Sequence, residues 1–447
     1  MKIFNAIITL SAALLVIPAT IADPEPVAMA DETDRQILEA FLGHVRSSAR
    51  HCTPERMAKF ASQPEDITWQ ASLYIRMPMI AYRLTGDAEY LDMFVERMDT
   101  LCDQMEEGPD GYMGWHGLPL GLFRHLEYPD RQVDVIITSF TVAGMMADFA
   151  RIIQDDELLK VKYGDVAQRY LTLAEDHLIK KWDARGCYKD LGKIGAVYIT
   201  HPDLKPTKAS LTQPHNKHSK IIRSLLSMYA ATGKDEYLVK AVKLGTRFKH
   251  CLTLVDDHYE WHYWDPAGQW DVDPENPRRW KHWIGAEHRS GYYSTTLSQA
   301  VILYEYGLVF DKTDIDRFVK TQMEVCWNGD FNDPKWARVD GKASENAYLC
   351  SSLAPFHESV YEMAYGAPAQ QERLRRKNHS WQGGASASGW LEYKYLVYPR
   401  WKSGEPAEKD TVAQFLVQEE GQSLIEKLAF EVEASGYQAP TSPEQMR

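Results

Sequence analysis

Closely spaced cysteine pairs are missing from this 447-residue chain: its six cysteines stand far apart and no Cys-x-x-Cys occurs. That spacing argues against a zinc ribbon or thioredoxin-type site, and it reads as buried thiols as readily as bridges. Long apolar runs are missing as well. The run from Ile7 to Ile17 is too short to span a bilayer, and no later stretch is expected to reach that length. Strand-like alternation bounded by turns is scarce, the best candidate being Tyr259–Tyr263. Excess positive charge is absent overall. A formal net charge of −13 argues against general nucleic-acid binding, which goes with a basic domain. One local absence runs the other way. Between Leu204 and Arg223 there is no Asp or Glu, yet five cations stand there: Lys205, Lys208, Lys217, Lys220 and Arg223.

What is present begins with an address. Lys2, the apolar run and the small residues after it predict a signal peptide over residues 1–30, cleaved after Ala22 or Ala30. The mature protein, residues 31–447, is then secreted or periplasmic and has no membrane partner after cleavage. With 44% hydrophobic and 25% charged residues it can build a core without metal or disulfide staples. Leu73, Met77, Ile80, Ala81 and Leu84 recur at three- and four-residue steps, as do Ile137, Phe140, Ala143, Met146 and Phe149. That period predicts helices. A faint repeat links Leu-Thr-Gly-Asp-Ala-Glu-Tyr-Leu at Leu84 with Ala-Thr-Gly-Lys-Asp-Glu-Tyr-Leu at Ala231. Weaker echoes begin at Gln154 and Tyr306, so the four sites are spaced by about 70 to 80 residues. In each, Gly or polar residues fit a helix C-cap and Asp fits the N-cap of the next helix. Helical hairpins in series read as an all-α single domain, an α/α toroid or an α-solenoid. Long inserts at 108–119, 183–214, 256–290 and 327–344 carry Trp, Tyr and His, and loops of that length are commonly functional. From Glu405 onward the pattern predicts a closing helix and a loose tail.

The acid-free window contains Pro214-His215-Asn216-Lys217-His218-Ser219-Lys220, and a second cluster runs from Glu260-Trp261-His262-Tyr263-Trp264 to Arg289-Ser290-Gly291-Tyr292-Tyr293. Cations with aromatic platforms suit a flat-faced anion, above all an acidic sugar polymer, which opposite charge concentrates in a cleft. The plainer alternative is a solvated basic helix face beside buried tryptophans. His215 and His218 can share a helix face and bind a metal, or simply begin a polar helix; we expect no metal and no cofactor. Glu260 and His262 would point to one side of a strand, or His262 is satisfied within the aromatic cluster. Arg289 and Tyr292 would share one helix face, or form a surface Arg beside a core Tyr. Tyr112, Trp115 and His116 lie on a Gly-flanked loop that can approach a sugar, and Trp261, Trp264 and Trp283 can stack on pyranose faces. Each Trp can equally pack loop to helix. His215, Lys217, His288 and Tyr293 complete the expected substrate contacts. Asp and Glu in the same insert leave a glycosidase open, which needs two carboxylates at roughly 5 to 9.5 Å. A non-catalytic acidic-glycan-binding protein is the third alternative.

Asn216, His218 and Ser219 at a helix start, followed by Arg289 and Tyr292, resemble the catalytic set of α/α-toroid polysaccharide lyases, where alginate lyases carry Asn-Asn-His-Ser-Tyr. Here Lys217 is inserted. Asn378-His379-Ser380-Trp381 is a second, partial match without a downstream Arg-Tyr pair. The whole chain is most similar in kind to family 38 polysaccharide lyases, which act on glucuronan or alginate. The resemblance implies an (α/α) toroid or incomplete barrel and β-elimination of a 4-linked polyuronate; the expected partner is an acidic polysaccharide and the expected state a monomer. Such a reaction needs the uronate carboxylate neutralised, a base at C5 and an acid at the leaving oxygen. It implies Asn216 and Arg289 at the carboxylate, with Glu260 or His262 as helpers. His218 would be the base and Tyr292 the acid, Tyr293 being its rival.

Overall fold

The computed structural model describes residues 26–366, 387–397 and 438–446, together with residues 368, 372 and 374. The expected leader up to residue 25, the Asn378–Trp381 motif and the closing helix within 405–437 lie outside these residues. The described chain is predominantly helical. Helices α1 (Glu32–Ser47) and α2 (Pro54–Ala61) precede the hairpin α3 (Ser72–Thr85) and α4 (Glu89–Cys102). A second hairpin pairs α5 (Ile136–Gln154) with α6 (Glu157–Leu173), followed by short α7 (Lys180–Ala184). The third pairs α8 (His215–Thr232) with α9 (Asp235–His250), and the fourth α10 (Ser290–Glu305) with α11 (Lys312–Lys320). Short α12 (Glu358–Tyr361) follows, and residues 387–397 are helical as well.

The four expected hairpin turns are the four observed ones. Gly86 and Gly233 end α3 and α8 at φ 72° and 66°, left-handed values that cost a residue with a Cβ about 1–2 kcal/mol. Asp156 caps α6 through the N–H groups of Leu158 and Leu159, and Asp311 caps α11 in a reciprocal box with Asp314.

First helices of successive hairpins are neighbours: α3 touches α5, α5 packs along α8, and α8 along α10. Gly144 permits the close α5–α8 approach, since a Cβ there would sit 2.6 Å from Ser224 Oγ. Helix α5 corrects the expectation that no later segment matches a membrane span. Its 19 residues are long and apolar enough by composition, but they are wrapped by α6 and α8, and 78% of the apolar window is buried. Pro78 interrupts α3 and cannot donate to Tyr74 O. Buried Arg97 donates there instead at 2.6 Å, and also to Val45 O at 2.7 Å, binding α1, α3 and α4 at one point. Segment 387–397 is held against α1 and α3, with Glu392 on Arg76 at 2.7 Å and Lys394 on Asp34 at 2.5 Å.

Each long insert folds into a small antiparallel hairpin. These are β1 (Glu106–Glu107) with β2 (Met113–Gly114), β3 (Tyr188–Asp190) with β4 (Ala196–Tyr198), β5 (Thr253–Val255) with β6 (His258–Glu260), and β7 (Trp336–Ala337) with β8 (Ala343–Ser344). The expected strand at Tyr259–Tyr263 is thus β6, starting one residue earlier and stopping at Glu260. All six cysteines are free thiols.

Candidate functional site

Helix α8 begins at His215 after Pro214, which has no side chain to cap it; the His215 N–H reaches Tyr263 O at 3.3 Å instead. The aromatic insert therefore closes the helix start and brings the two sequence clusters together. Asp265, fully buried, accepts from both sides: His215 Nε2 lies 3.0 Å from Oδ2 and His262 Nδ1 lies 2.9 Å from Oδ1. Burial would raise the Asp265 pKa, but the two imidazoles hold it well below the usual carboxylate range. Burial works to lower the His262 pKa, yet the bond to Asp265 and the Asp265 charge prevail and raise it, with Glu260 and Asp340 adding. His262 is only partly buried, as is Glu260, which lies 3.8 Å from His258.

Tyr263 is the hub of an aromatic stack. Tyr292 lies on it with ring centroids 5.4 Å apart and Trp283 with centroids 5.8 Å apart, while His288 meets it edge-on. Arg289 stands over the Tyr292 ring and donates to its hydroxyl at 3.3 Å. Trp283 is 43% exposed, and Arg289 and His288 are exposed too. Burial, then Arg289 and Arg338, lower the His288 pKa. Beside this group, at the start of α8, Asn216 is buried with an amide Oδ1 that has no partner, and Gln213 Oε1 is in the same condition. Buried polar atoms left open in this way point to a ligand or to water.

The basic window does not act as one surface. Lys217 pairs with Glu65 at 2.8 Å, and Lys208 and Lys217 both stand over Phe123. Lys220 lies over Trp69, and burial followed by Arg223 and Arg76 lowers its pKa to about 8. Arg223 lines a separate cavity.

Several expected site residues are placed elsewhere. His218 is buried and its Nε2 accepts the Tyr198 N–H at 3.0 Å; burial, then His215, lower its pKa to about 3, so it stays neutral with that lone pair occupied. It has no open face from which to act as a base. Tyr293 is buried against Trp261, and its hydroxyl donates to Gln322 Oε1 at 3.2 Å. Trp261 and Trp264 are buried too, with indole N–H groups on Glu287 and Thr212 O, and cannot face a sugar. Trp115 is buried with its indole on Leu101 O. Tyr112 meets His177 edge-on, and His116 packs against Gly108; these contacts hold the β1–β2 hairpin to its own surroundings.

Sequence reasoning missed Tyr263, Glu65, Trp69 and Arg338 as neighbours of the site. Glu65 and Trp69 carry no local signal because their partners lie about 150 residues away in the chain. Asp265 had one: it lies three residues after His262. Among the described residues, His215, Asp265 and Cys251 each offer one ligand atom, all within 4.8 Å of one another, a spacing that could hold a metal ion. Both Asp265 oxygens are already engaged by imidazoles. No protein-family model matches the chain, and no curated protein is matched to it.

Proposed function

We propose that this protein is a polysaccharide lyase that cleaves a 4-linked polyuronate by β-elimination, built on an α/α toroid. The adjacency of α3, α5, α8 and α10, with segment 387–397 back against α3, supports the toroid. The observation that carries the function is the meeting of Arg289 and Tyr292, stacked on Tyr263, with the His262–Asp265 pair on the adjoining chain.

In this reading Arg289 binds the uronate carboxylate and stabilises the charge that develops on it as C5 loses its proton, while the unpaired Asn216 Oδ1, an acceptor, suits a donor such as a sugar hydroxyl or water. His262 is the base, in place of His218. Its Nδ1–H points to Asp265, so Nε2 is free to take the C5 proton. The electron pair left at C5 forms the C4=C5 double bond as the C4–O4 bond breaks. The Tyr292 hydroxyl gives its proton to the departing oxygen, which stays on the neighbouring sugar as a reducing end. Tyr263 and Trp283 make the aromatic wall. Glu260 is a partly exposed neighbour of His262, in reach of sugar hydroxyls.

Against a hydrolase, Asp265 and Asp271 are buried and fully engaged, Asp271 by Thr212 and the Ala267 N–H. Neither is open to serve as the partner of Glu260. Incubation with polymannuronate, polyguluronate and glucuronan tests the reading. A lyase yields ultraviolet-absorbing unsaturated ends, a hydrolase yields reducing ends alone, and a binding protein yields neither. Reducing ends without absorbance would overturn the assignment.

A further inference from the structure

Helices α3, α5, α8 and α10, residues 351–355 and 365, and segment 387–397 line a cavity of about 700 Å³. Its lining comes from positions further along these helices than the His215–Tyr292 group, including Arg223 on α8 and Val301 and Glu305 on α10. We propose that this cavity is a second binding site, for a short carboxylated sugar of mono- or disaccharide size. The proposal rests on the polyuronate reading of the first site and extends it to the products.

Three observations carry it. The first is a cation that makes no bond of its own. Glu392 already takes Arg76 through two bonds, at 2.7 and 2.9 Å, and has Arg83 at 3.8 Å. Arg223, exposed on the same wall, has no hydrogen bond or ion pair among the described residues. Arg223 thus shares the field of Glu392 with Arg76 and Arg83 but makes no bond to it, and a guanidinium with its hydrogen-bonding edge unused is suited to gripping a carboxylate from a ligand. The second is the rest of the lining. Ser227 and the carboxylates of Asp148, Asp155 and Glu305 offer groups for sugar hydroxyls, and the stacked pair Tyr365 and Tyr393 adds an aromatic part to the wall. A purely ionic ligand would not need that mixture. The third is continuity. Lys217, Lys220 and Arg223 follow at three-residue steps on α8, a ladder of about 9 Å from the first site to the cavity at 1.5 Å per residue. Of these three, Lys217 is paired with Glu65 and Lys220 is held over Trp69, so Arg223 at the cavity end is the exposed cation.

The test uses the full chain carrying Tyr292→Phe, which silences turnover, titrated calorimetrically with saturated glucuronate and mannuronate disaccharides. Two classes of site are expected for at least one of them. Adding Arg223→Ser should weaken one class at least about tenfold, the scale of a lost charged hydrogen bond, and Arg289→Ala should remove the other. Ser227→Phe fills the cavity without touching a charge and should reproduce the Arg223→Ser result; circular dichroism checks that each variant is folded. A single class abolished by Arg289→Ala and indifferent to Arg223→Ser and Ser227→Phe overturns the second site and leaves the first intact. No binding at all, with no unsaturated product from the unmodified protein, removes the polyuronate reading and the proposal with it.

Discussion

At Tyr292 the hydroxyl meets the Arg289 guanidinium, while one residue later Tyr293 points into the core and donates to Gln322. The two phenols give a clean comparison. Tyr292→Phe should lower turnover by at least about a hundredfold, the usual scale for a proton-transferring group, with the fold intact. Tyr293→Phe should lower the melting temperature and spare turnover, and the opposite pattern would exchange their roles. Glu287 offers a second test. It is fully buried, and burial raises its pKa to about 8 against the bonds from Thr296 and Trp261. An unfolded Glu titrates near its ordinary value of 4.5, so from there to about 8 the folded protein binds more protons. Stability contributed by neutral Glu287 is therefore full below the lower value and is lost as pH rises through the upper one. Glu287→Gln should flatten the fall in melting temperature across that window. Equal slopes for the two proteins would assign the fall to other groups.

Among the elements, the junction of α1, α3 and α4 depends on Arg97. Its guanidinium satisfies Tyr74 O, which Pro78 leaves without its helical donor, together with Val45 O and Ser48 Oγ. Arg97→Met keeps much of the bulk and orphans buried acceptors, so the expected loss is at least about 3 kcal/mol. Urea unfolding measures it, and a loss below about 1 kcal/mol would mean that water reaches these carbonyls. The inserts act as elements too. The β3–β4 hairpin places the Tyr198 N–H on His218 and keeps that imidazole in the core, while the chain after β6 carries His262 to Asp265.

For the whole molecule, a net charge of −13 repels a polyanion, and only a local reversal of sign admits one. Exposed Arg289 and half-buried Lys208 sit at that reversal, whereas Lys217 is already neutralised by Glu65. Screening lengths of about 8 Å at physiological ionic strength act most on such exposed charges. The KM for the acidic polymer should therefore rise severalfold between low and high salt, with kcat changing less. A KM indifferent to salt would show that these cations do not meet the ligand.

The sequence by itself determined the hairpins. Helix period, Gly caps at 86 and 233 and Asp caps at 156 and 311 are local, decided within a turn or two of each residue. It also showed that Asn216, His262, Arg289 and Tyr292 carry suitable chemistry. It did not show which imidazole or which phenol stays wet. His218 and His262 both stand among aromatic and polar neighbours in the chain, and Tyr292 and Tyr293 differ by one step of about 100° around a helix. Only the tertiary structure decided these choices, because burial and hydrogen-bond partners come from remote segments: Tyr198 for His218, Gln322 for Tyr293, Asp265 shared between His215 and His262. The cavity around Arg223 arises for the same reason, since its wall is made by segments far apart in the chain that meet only when it is folded.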